Sequence, residues 1–201
     1  MIRVSCAALC RFMVDDRYLL LLNKNRRAKN IYELSPVGGA LEFYNPAFLQ
    51  SLSAKLENPD TQDLRFEIDS PRLETFRDWF YRREERETDP YREIHEELAH
   101  EANVVYDLRR EDLDIRFLHI TEDQKTTQRQ GQTGLFTHYF LEIFEVKVLS
   151  ESVKLRLKRA KPSSGVLLVS EAVVQTGQSI ELNVDGAVRA VKLNTAALFS
   201  P

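Results

Sequence analysis

The sequence contains few of the residues that mark several protein classes. Its 201 residues include two cysteines and one tryptophan. Cys6 and Cys10 fall in one predicted strand, whose rise of about 3.3 Å per residue puts them about 13 Å apart, beyond the reach of a disulfide. No apolar run approaches the roughly 20 residues of a membrane-spanning helix, and the first residues lack a signal-peptide pattern. These absences predict a cytoplasmic protein without a membrane span.

A large excess of charge is also absent. The formal net charge is −3, whereas a dedicated nucleic-acid binder would normally carry a strongly basic surface. The composition therefore favours a small-molecule partner. The length suits one domain, residues 1–201, and the sequence assigns no oligomeric state.

Alternating hydrophobic residues predict a protein with many strands. Residues 2–13 and 18–22, joined by an Asp-Asp turn, predict a β-hairpin. A long polar loop is expected at 121–134, and a closing helix at 188–199. Further strands are predicted at 102–106, 113–120, 135–148, 153–157 and 166–169.

An acidic stretch lies near the middle of the chain. The Thr-Asp-Pro sequence at 88–90 predicts the start of a helix, because an aspartate or threonine caps the first turn and proline fits the first position. Glu93, Glu96 and Glu97 then fall on one face of that helix. Such like charges repel one another unless a cation lies over them, and Mg²⁺ prefers oxygen ligands of this kind. The alternative is an ordinary solvated face.

A glycine pair precedes this helix in the chain. Gly38 and Gly39 lie in the sequence SPVGGALE, and residues 92–97 read REIHEE. Together they resemble the Nudix box, G-x5-E-x7-R-E-U-x-E-E-x-G-U, where U is a bulky aliphatic residue. Here the box is split, because residues 43–90 lie between its two parts. This interrupted form resembles the SMODS-associated Nudix domains, which occur near nucleotidyltransferases of bacterial antiphage signalling systems.

The sequence departs from the box at two further places. Counting from Gly39 puts the first glutamate of the box on Asn45, and counting back from Arg92 puts it on Glu84. Residues 98–100 read Leu-Ala-His in place of x-G-U, so the helix is expected to continue towards Asn103, a residue that tolerates the left-handed conformation at helix ends.

The resemblance implies a fold, a cofactor and a reaction. The expected fold is α/β (α+β), a Nudix-like α/β/α sandwich with a mixed central sheet and a helical insertion between the glycine loop and the catalytic helix. The expected ligands of Mg²⁺, or of Mn²⁺ as a substitute, are the carbonyl oxygen of Gly38 and the carboxylates of Glu93, Glu96 and Glu97. Gly39 would shape the turn at the substrate, and Arg92 would support the loop and the helix. The implied reaction is hydrolysis of the phosphoric anhydride of a nucleoside diphosphate linked to another group.

Four further residues are weaker candidates. Arg26, in a basic segment, could meet substrate phosphates or merely be solvated. Glu122 or Asp123 could supply the general base that several Nudix enzymes take from this region, as could a glutamate of the box itself, although acidic residues in polar loops commonly serve solubility. His138 could line the substrate pocket or be an interior histidine.

The insertion, residues 43–90, is predicted to be folded. Proline residues open two predicted helices, at 45–58 and from Ser70, with a short strand at 64–68 between them. Residues 82–87 are expected to be the exposed end of the second helix or its connection to the catalytic helix. The insertion is predicted to form a lid or a specificity-determining wall, with a structural add-on or dimer surface as the alternative.

Two other classes of function remain open. The first is a non-catalytic nucleotide sensor with a Nudix fold, because the box is altered. The second is a structural or interaction protein whose glutamates face water.

Overall fold

The fold combines an open mixed sheet with short helices. The computed structural model describes residues 1–126, 134, 136–184 and 186–200, with only the backbone at 24 and 25. The strands are β1 Ile2–Val14, β2 Arg17–Leu22, β3 Glu33–Pro36, β4 Lys55–Leu56, β5 Arg65–Ile68, β6 Leu113–Thr126, β7 Phe136–Val148, β8 Val166–Ser170, β9 Ile180–Val184 and β10 Ala187–Leu193. The helices are α1 Lys24–Arg27, α2 Pro46–Ser51, α3 Leu73–Arg82, α4 Tyr91–His95, a π-helix Glu96–Glu101, α5 Glu151–Lys158 and α6 Glu171–Thr176.

Strand β1 organises the sheet. It pairs in parallel with β7 over residues 3–13, antiparallel with β5 over residues 2–5, and through a tight turn with β2. Strand β6 extends the sheet beyond β7, while β3, β10 and β9 extend it on the other side of β2. This mixed sheet with helices confirms the predicted α/β fold class.

The alternation along β1 explains why it is central. Its even-numbered residues, from Ile2 to Val14, are all buried. They face a large apolar cluster that includes Phe76 and Phe80 of α3 and Ile94 of α4. One face of the strand therefore anchors helices from both parts of the chain, as expected where a pleated face buries every second side chain.

The insertion shares this sheet and core. Strand β5 pairs with β1, and Phe76, Trp79 and Phe80 of α3 are buried. Helix α2 begins as predicted, with Asn45 Oδ1 accepting from the Ala47 amide at 2.9 Å, but it ends at Ser51. A lid or wall function for residues 43–90 remains a prediction.

Several predicted elements are wrong. Residues 153–157 belong to helix α5, because Val153 and Leu157, four residues apart, are buried while Leu155 is exposed. Residues 102–106 form no strand, and 188–199 contain strand β10 and a 3₁₀ turn in place of a helix. The expected polar loop begins as strand, because β6 runs to Thr126. Residues 127–133, 135 and 185 lie outside the described residues.

No helix in the described part of the chain is long and apolar enough to cross a membrane.

Candidate functional site

The acidic helix begins close to where the sequence predicted. Asp89 Oδ1 accepts from the Tyr91 amide at 2.9 Å, and Pro90 lies between them. After His95 the helix widens into a π-helix, in which the Ala102 amide donates to the Glu97 carbonyl oxygen at 2.8 Å. It ends at Glu101, and Asn103, two residues on, has a left-handed φ of 51°, as predicted. Such π-helical segments occur frequently at functional sites.

The glycine pair contacts this helix directly. The Gly38 amide donates to Glu97 Oε2 at 2.8 Å. A Cβ on Gly39 would lie 2.0 Å from Glu93 Oε2, and one on Gly38 would lie 2.0 Å from the Ala8 carbonyl oxygen. Both positions therefore need the small size of glycine, and Gly38 also has a φ of 138°, which favours glycine. The two parts of the split box meet.

Strand β1 holds the glycine loop in place. The Ala8 amide donates to the Gly39 carbonyl oxygen and the Cys10 amide donates to the Val37 carbonyl oxygen, both at 2.9 Å. The loop is thus fixed to the centre of the sheet, which fixes where the helix carboxylates meet it.

Arg92 joins the loop, the helix and the end of the insertion. Its guanidinium donates to the Ala40 carbonyl oxygen at 2.7 Å, to Glu87 at 3.1 and 2.8 Å, and to Glu93 at 2.9 Å. Burial works against the charged form, but the hydrogen bonds to Glu87 and the charges of Glu87, Glu93 and Glu42 together outweigh it and raise the pKa of Arg92. A planar fork with several donors suits this bridging position.

The three glutamates of the helix are not equivalent. The Glu93 side chain is 14% exposed, while that of Glu96 is 48% exposed and lies 3.5 Å from Arg92. Burial raises the pKa of Glu93, and Arg92 partly offsets that effect. Glu93 and Glu97 face the glycine loop, whereas Glu96 is directed towards solvent.

Glu87 is a residue of this site that the sequence reasoning missed. It is buried, it bonds Arg92, and its Oε2 accepts from the Glu42 amide at 3.2 Å, while its own amide donates to the Glu42 carbonyl oxygen at 2.8 Å. Burial raises the pKa of Glu87 against the effect of Arg92. Neither counted candidate contacts Arg92 in this way, because Asn45 caps α2 and Glu84 is exposed. The one feature of the sequence that could have indicated Glu87 is that it lies only five residues before Arg92, its partner.

A cavity of about 590 Å³ adjoins the glycine pair. This volume is in the range of small-molecule sites. Gly38, Glu97 and Arg26 line it, together with Leu9 and Tyr139. Arg26 Nε lies 3.2 Å from Glu33 Oε1, so the arginine is already part of an ion pair.

One family model matches almost the whole chain. The model of the SMODS-associated NUDIX domain covers residues 1–193. This chain belongs to the SMODS-associated NUDIX family. No curated protein and no solved structure matches it.

Within this NUDIX domain, strands β6 and β7 present two different faces. Asp123, Lys125 and Tyr139 line the cavity. Glu122 and His138 lie at alternate positions, on the opposite face, where strand geometry directs them away from the cavity. Asp123 forms an ion pair with Lys125. Of the two base candidates from the sequence, Asp123 is the one at the cavity.

Glu122 and His138 contact each other behind the cavity. His138 is buried and stacks on Phe140. Glu122 accepts from Arg77 at 3.0 to 3.2 Å and from Tyr81 at 3.0 Å. Burial raises the pKa of Glu122, but the bonds from Arg77, His138 and Tyr81 outweigh it and hold that pKa below its ordinary value. His138 is therefore an interior histidine, one of the two alternatives from the sequence, and Glu122 lies on the strand face away from the cavity, so its catalytic role stays a prediction.

The sequence also missed a buried charge network next to this pair. Arg86 Nη2 donates to Glu142 Oε1 at 2.7 Å, and Arg83 Nε donates to the same oxygen at 2.9 Å. Arg86 and Glu142 are fully buried side chains. The expectation that residues 82–87 are exposed is therefore wrong for Arg86 and Glu87.

The carboxylates at the glycine pair fit one kind of divalent metal site. NUDIX families generally use divalent metals. Among the described residues, no group of three or more His, Cys, Asp or Glu side chains could enclose a metal ion. Glu93 and Glu97 nevertheless converge on the glycine pair, and Mg²⁺ commonly binds one or two carboxylates and takes its other ligands from water and substrate phosphates. The residues fit an ion of that kind and do not form an all-protein cage.

Proposed function

We propose that this SMODS-associated NUDIX protein hydrolyses the phosphoric anhydride of a nucleoside diphosphate linked to another group. One observation carries the proposal. The Gly38 amide donates to Glu97 at a cavity of small-molecule size that both residues line, and Glu93 lies against the adjacent Gly39. A solvated acidic face would not need two glycines packed against its carboxylates.

The proposed roles follow from these contacts. Glu93, Glu97 and the Gly38 carbonyl oxygen would hold Mg²⁺, or Mn²⁺ as a substitute. The bound ion would neutralise the diphosphate and lower the pKa of an attacking water. Arg92 keeps the helix against the loop through Ala40 and Glu87.

The other proposed roles belong to residues outside the glycine loop and the acidic helix. Asp123 is the proposed general base, because it lines the cavity. Arg26 also lines it and is proposed to contact a substrate phosphate. Glu122 and His138 are assigned a structural role behind the strands.

The test is metal-dependent turnover on a panel of phosphoric anhydrides, with cyclic oligonucleotides, which contain only phosphodiester bonds, as the comparison. ADP-ribose, dinucleoside polyphosphates and cyclic oligonucleotides would be incubated with Mg²⁺ or Mn²⁺, and phosphate or nucleotide release measured. The wild type is expected to hydrolyse at least one anhydride, and Glu97→Gln to lose at least about 100-fold of that activity. Glu96→Gln is the matched control, because it removes the same charge from the exposed glutamate. Equal activity of Glu97→Gln and the wild type would refute the assignment.

A second candidate is a nucleotide sensor that does not turn its ligand over. Two observations favour it. Glu97 already accepts the Gly38 amide and Glu93 already accepts Arg92, and no group of three potential metal ligands is present among the residues described. This candidate predicts that a nucleotide from the same panel raises the melting temperature without release of product. At a hundred times its dissociation constant, such a nucleotide should raise the free energy of unfolding by about 2.7 kcal/mol.

The proposed biological setting is bacterial antiphage nucleotide signalling. The family description supports it through its association with SMODS. An adjacent nucleotidyltransferase gene would support this setting, and its consistent absence across related gene neighbourhoods would count against it.

A further inference from the structure

One wall of the cavity is built from both ends of the chain. We call it the β3–β10 wall, formed by Arg26, Glu33, Lys192 and Asn194, all of which line the cavity. Strand β10 pairs in parallel with β3, with Lys192 opposite Glu33. The Lys192 amide donates to the Tyr32 carbonyl oxygen at 3.1 Å. Backbone pairing therefore holds β10 beside β3, the strand that leads into the glycine loop.

The charges in this wall are unequally satisfied. Glu33 is buried and accepts from Arg26 at 3.2 Å and from Asn194 Nδ2 at 3.3 Å. The third cation of the cavity, Lys125, is paired with Asp123. Within the described part of the chain, the Lys192 ammonium makes no ion pair, and its side chain is exposed at the cavity. Lys192 thus provides a positive charge that an anionic ligand can meet.

The wall lies well away from the helix carboxylates. The chain from Glu33 to Val37 is extended, so a rise of about 3.3 Å per residue places the Cα atom of Glu33 about 13 Å from that of Val37, the residue before the glycine pair. A ligand that spans from the Gly38 carbonyl oxygen to the β3–β10 wall is therefore longer than a single phosphate group. A ligand that uses both must carry two anionic groups with a spacer between them.

We propose that the β3–β10 wall binds a second phosphate, separated by a nucleoside from the anhydride that the glycine-loop site handles. Lys192 forms the ion pair with that phosphate. Asn194, oriented by Glu33, offers its remaining amide hydrogen. Leu9 and Tyr139, which also line the cavity, accommodate the intervening nucleoside. The inference rests on the proposed function for the position of the first phosphate and adds a second subsite to it.

The test uses two probes that contain no anhydride, so that binding is measured without turnover. Nucleoside 5′-monophosphate and nucleoside 3′,5′-bisphosphate, each with adenine and with guanine, would be titrated calorimetrically into the full chain with Mg²⁺. For at least one base the bisphosphate should bind about tenfold more tightly, the magnitude expected for one charge-assisted contact. Lys192→Gln should abolish this preference while leaving monophosphate affinity unchanged, and Lys192→Arg should retain it.

Lys29→Gln is the matched control, because it removes the same charge from an exposed lysine that does not line the cavity. It should keep the preference. Equal affinity for mono- and bisphosphate in the wild type, a preference that survives Lys192→Gln, or no binding of any probe would each overturn the proposal. A failure of the hydrolase proposal would appear separately, as absent turnover with the bisphosphate preference intact.

Discussion

Two sets of carboxylates in this molecule have very different surroundings. Glu122 and Glu142, behind the cavity, are held by arginines from the insertion, with Glu142 bonded by both Arg83 and Arg86. Glu97, at the cavity, accepts from the Gly38 amide, and Glu93 lies against Gly39 while it also accepts from Arg92. Carboxylates surrounded by fixed cations are positioned for stability. Those that face backbone and a cavity are positioned for a ligand.

The largest expected effect concerns Glu142, in the set behind the cavity. Glu142→Gln leaves the fully buried Arg86 without its charged partner, so the free energy of unfolding should fall by about 3–5 kcal/mol in urea denaturation. Glu145→Gln, on the same strand but paired at the surface with Arg116, is the control and should cost less than about 1 kcal/mol. Equal losses for the two variants would remove the distinction between the sets.

The glycine pair should separate stability from activity. Alanine at Gly39 meets the movable Glu93 side chain, so Gly39→Ala should lower turnover by about 100-fold through a misplaced carboxylate, with little loss of stability. Alanine at Gly38 meets the fixed Ala8 backbone at a φ that favours glycine, so Gly38→Ala should cost about 2 kcal/mol or more of unfolding free energy. Turnover and urea denaturation of both variants test this, and Gly39→Ala with full activity would contradict it.

A smaller effect is expected from the pH dependence of stability at Glu122, in the set behind the cavity. Because the folded-state pKa of Glu122 is depressed, its stabilisation is present above the unfolded-state pKa, about 4.3, and is lost as pH falls through the lower folded-state value. Glu122→Gln should therefore reduce the unfolding free energy at neutral pH and flatten its decline in acid, with turnover nearly unchanged. Urea denaturation from neutral pH down to about pH 3 measures this. A large loss of turnover would return Glu122 to the list of catalytic candidates.

The smallest expected effect concerns Glu96. Its side chain is half exposed and lies 3.5 Å from Arg92. Glu96→Gln should change the unfolding free energy by no more than about 0.5 kcal/mol and turnover by about twofold or less. A loss comparable to that of Glu97→Gln would show that all three glutamates act together.

The sequence predicted the parts of the fold that depend on local pattern. Caps and dihedral preferences account for the hairpin, for the helix start at Asp89-Pro90 and for the left-handed Asn103 just beyond the helix end. The strand predicted at 153–157 was wrong, because the same apolar residues also fit a short amphipathic helix. Only tertiary contacts decide which of them are buried.

The site was predictable in its residue types but not in its partners. The box resemblance pointed to Gly38, Gly39 and Arg92, yet it could not find Glu87, because that contact depends on how the insertion returns to the loop. It also could not separate Asp123 from Glu122, since the strand extends through a stretch whose polar composition resembles a loop. Long-range pairing decides which face of a strand meets the cavity.

The central claim is that Glu97 and the glycine pair hold a divalent ion at the cavity, while Glu122 does not. Mn²⁺ binding, followed by electron paramagnetic resonance in the presence of a non-hydrolysable nucleoside diphosphate, tests it directly. Glu97→Gln should weaken Mn²⁺ binding at least about tenfold, and Glu122→Gln should match the wild type. Equal Mn²⁺ affinity in the wild type and Glu97→Gln, or no Mn²⁺ binding by the wild type, would contradict the account.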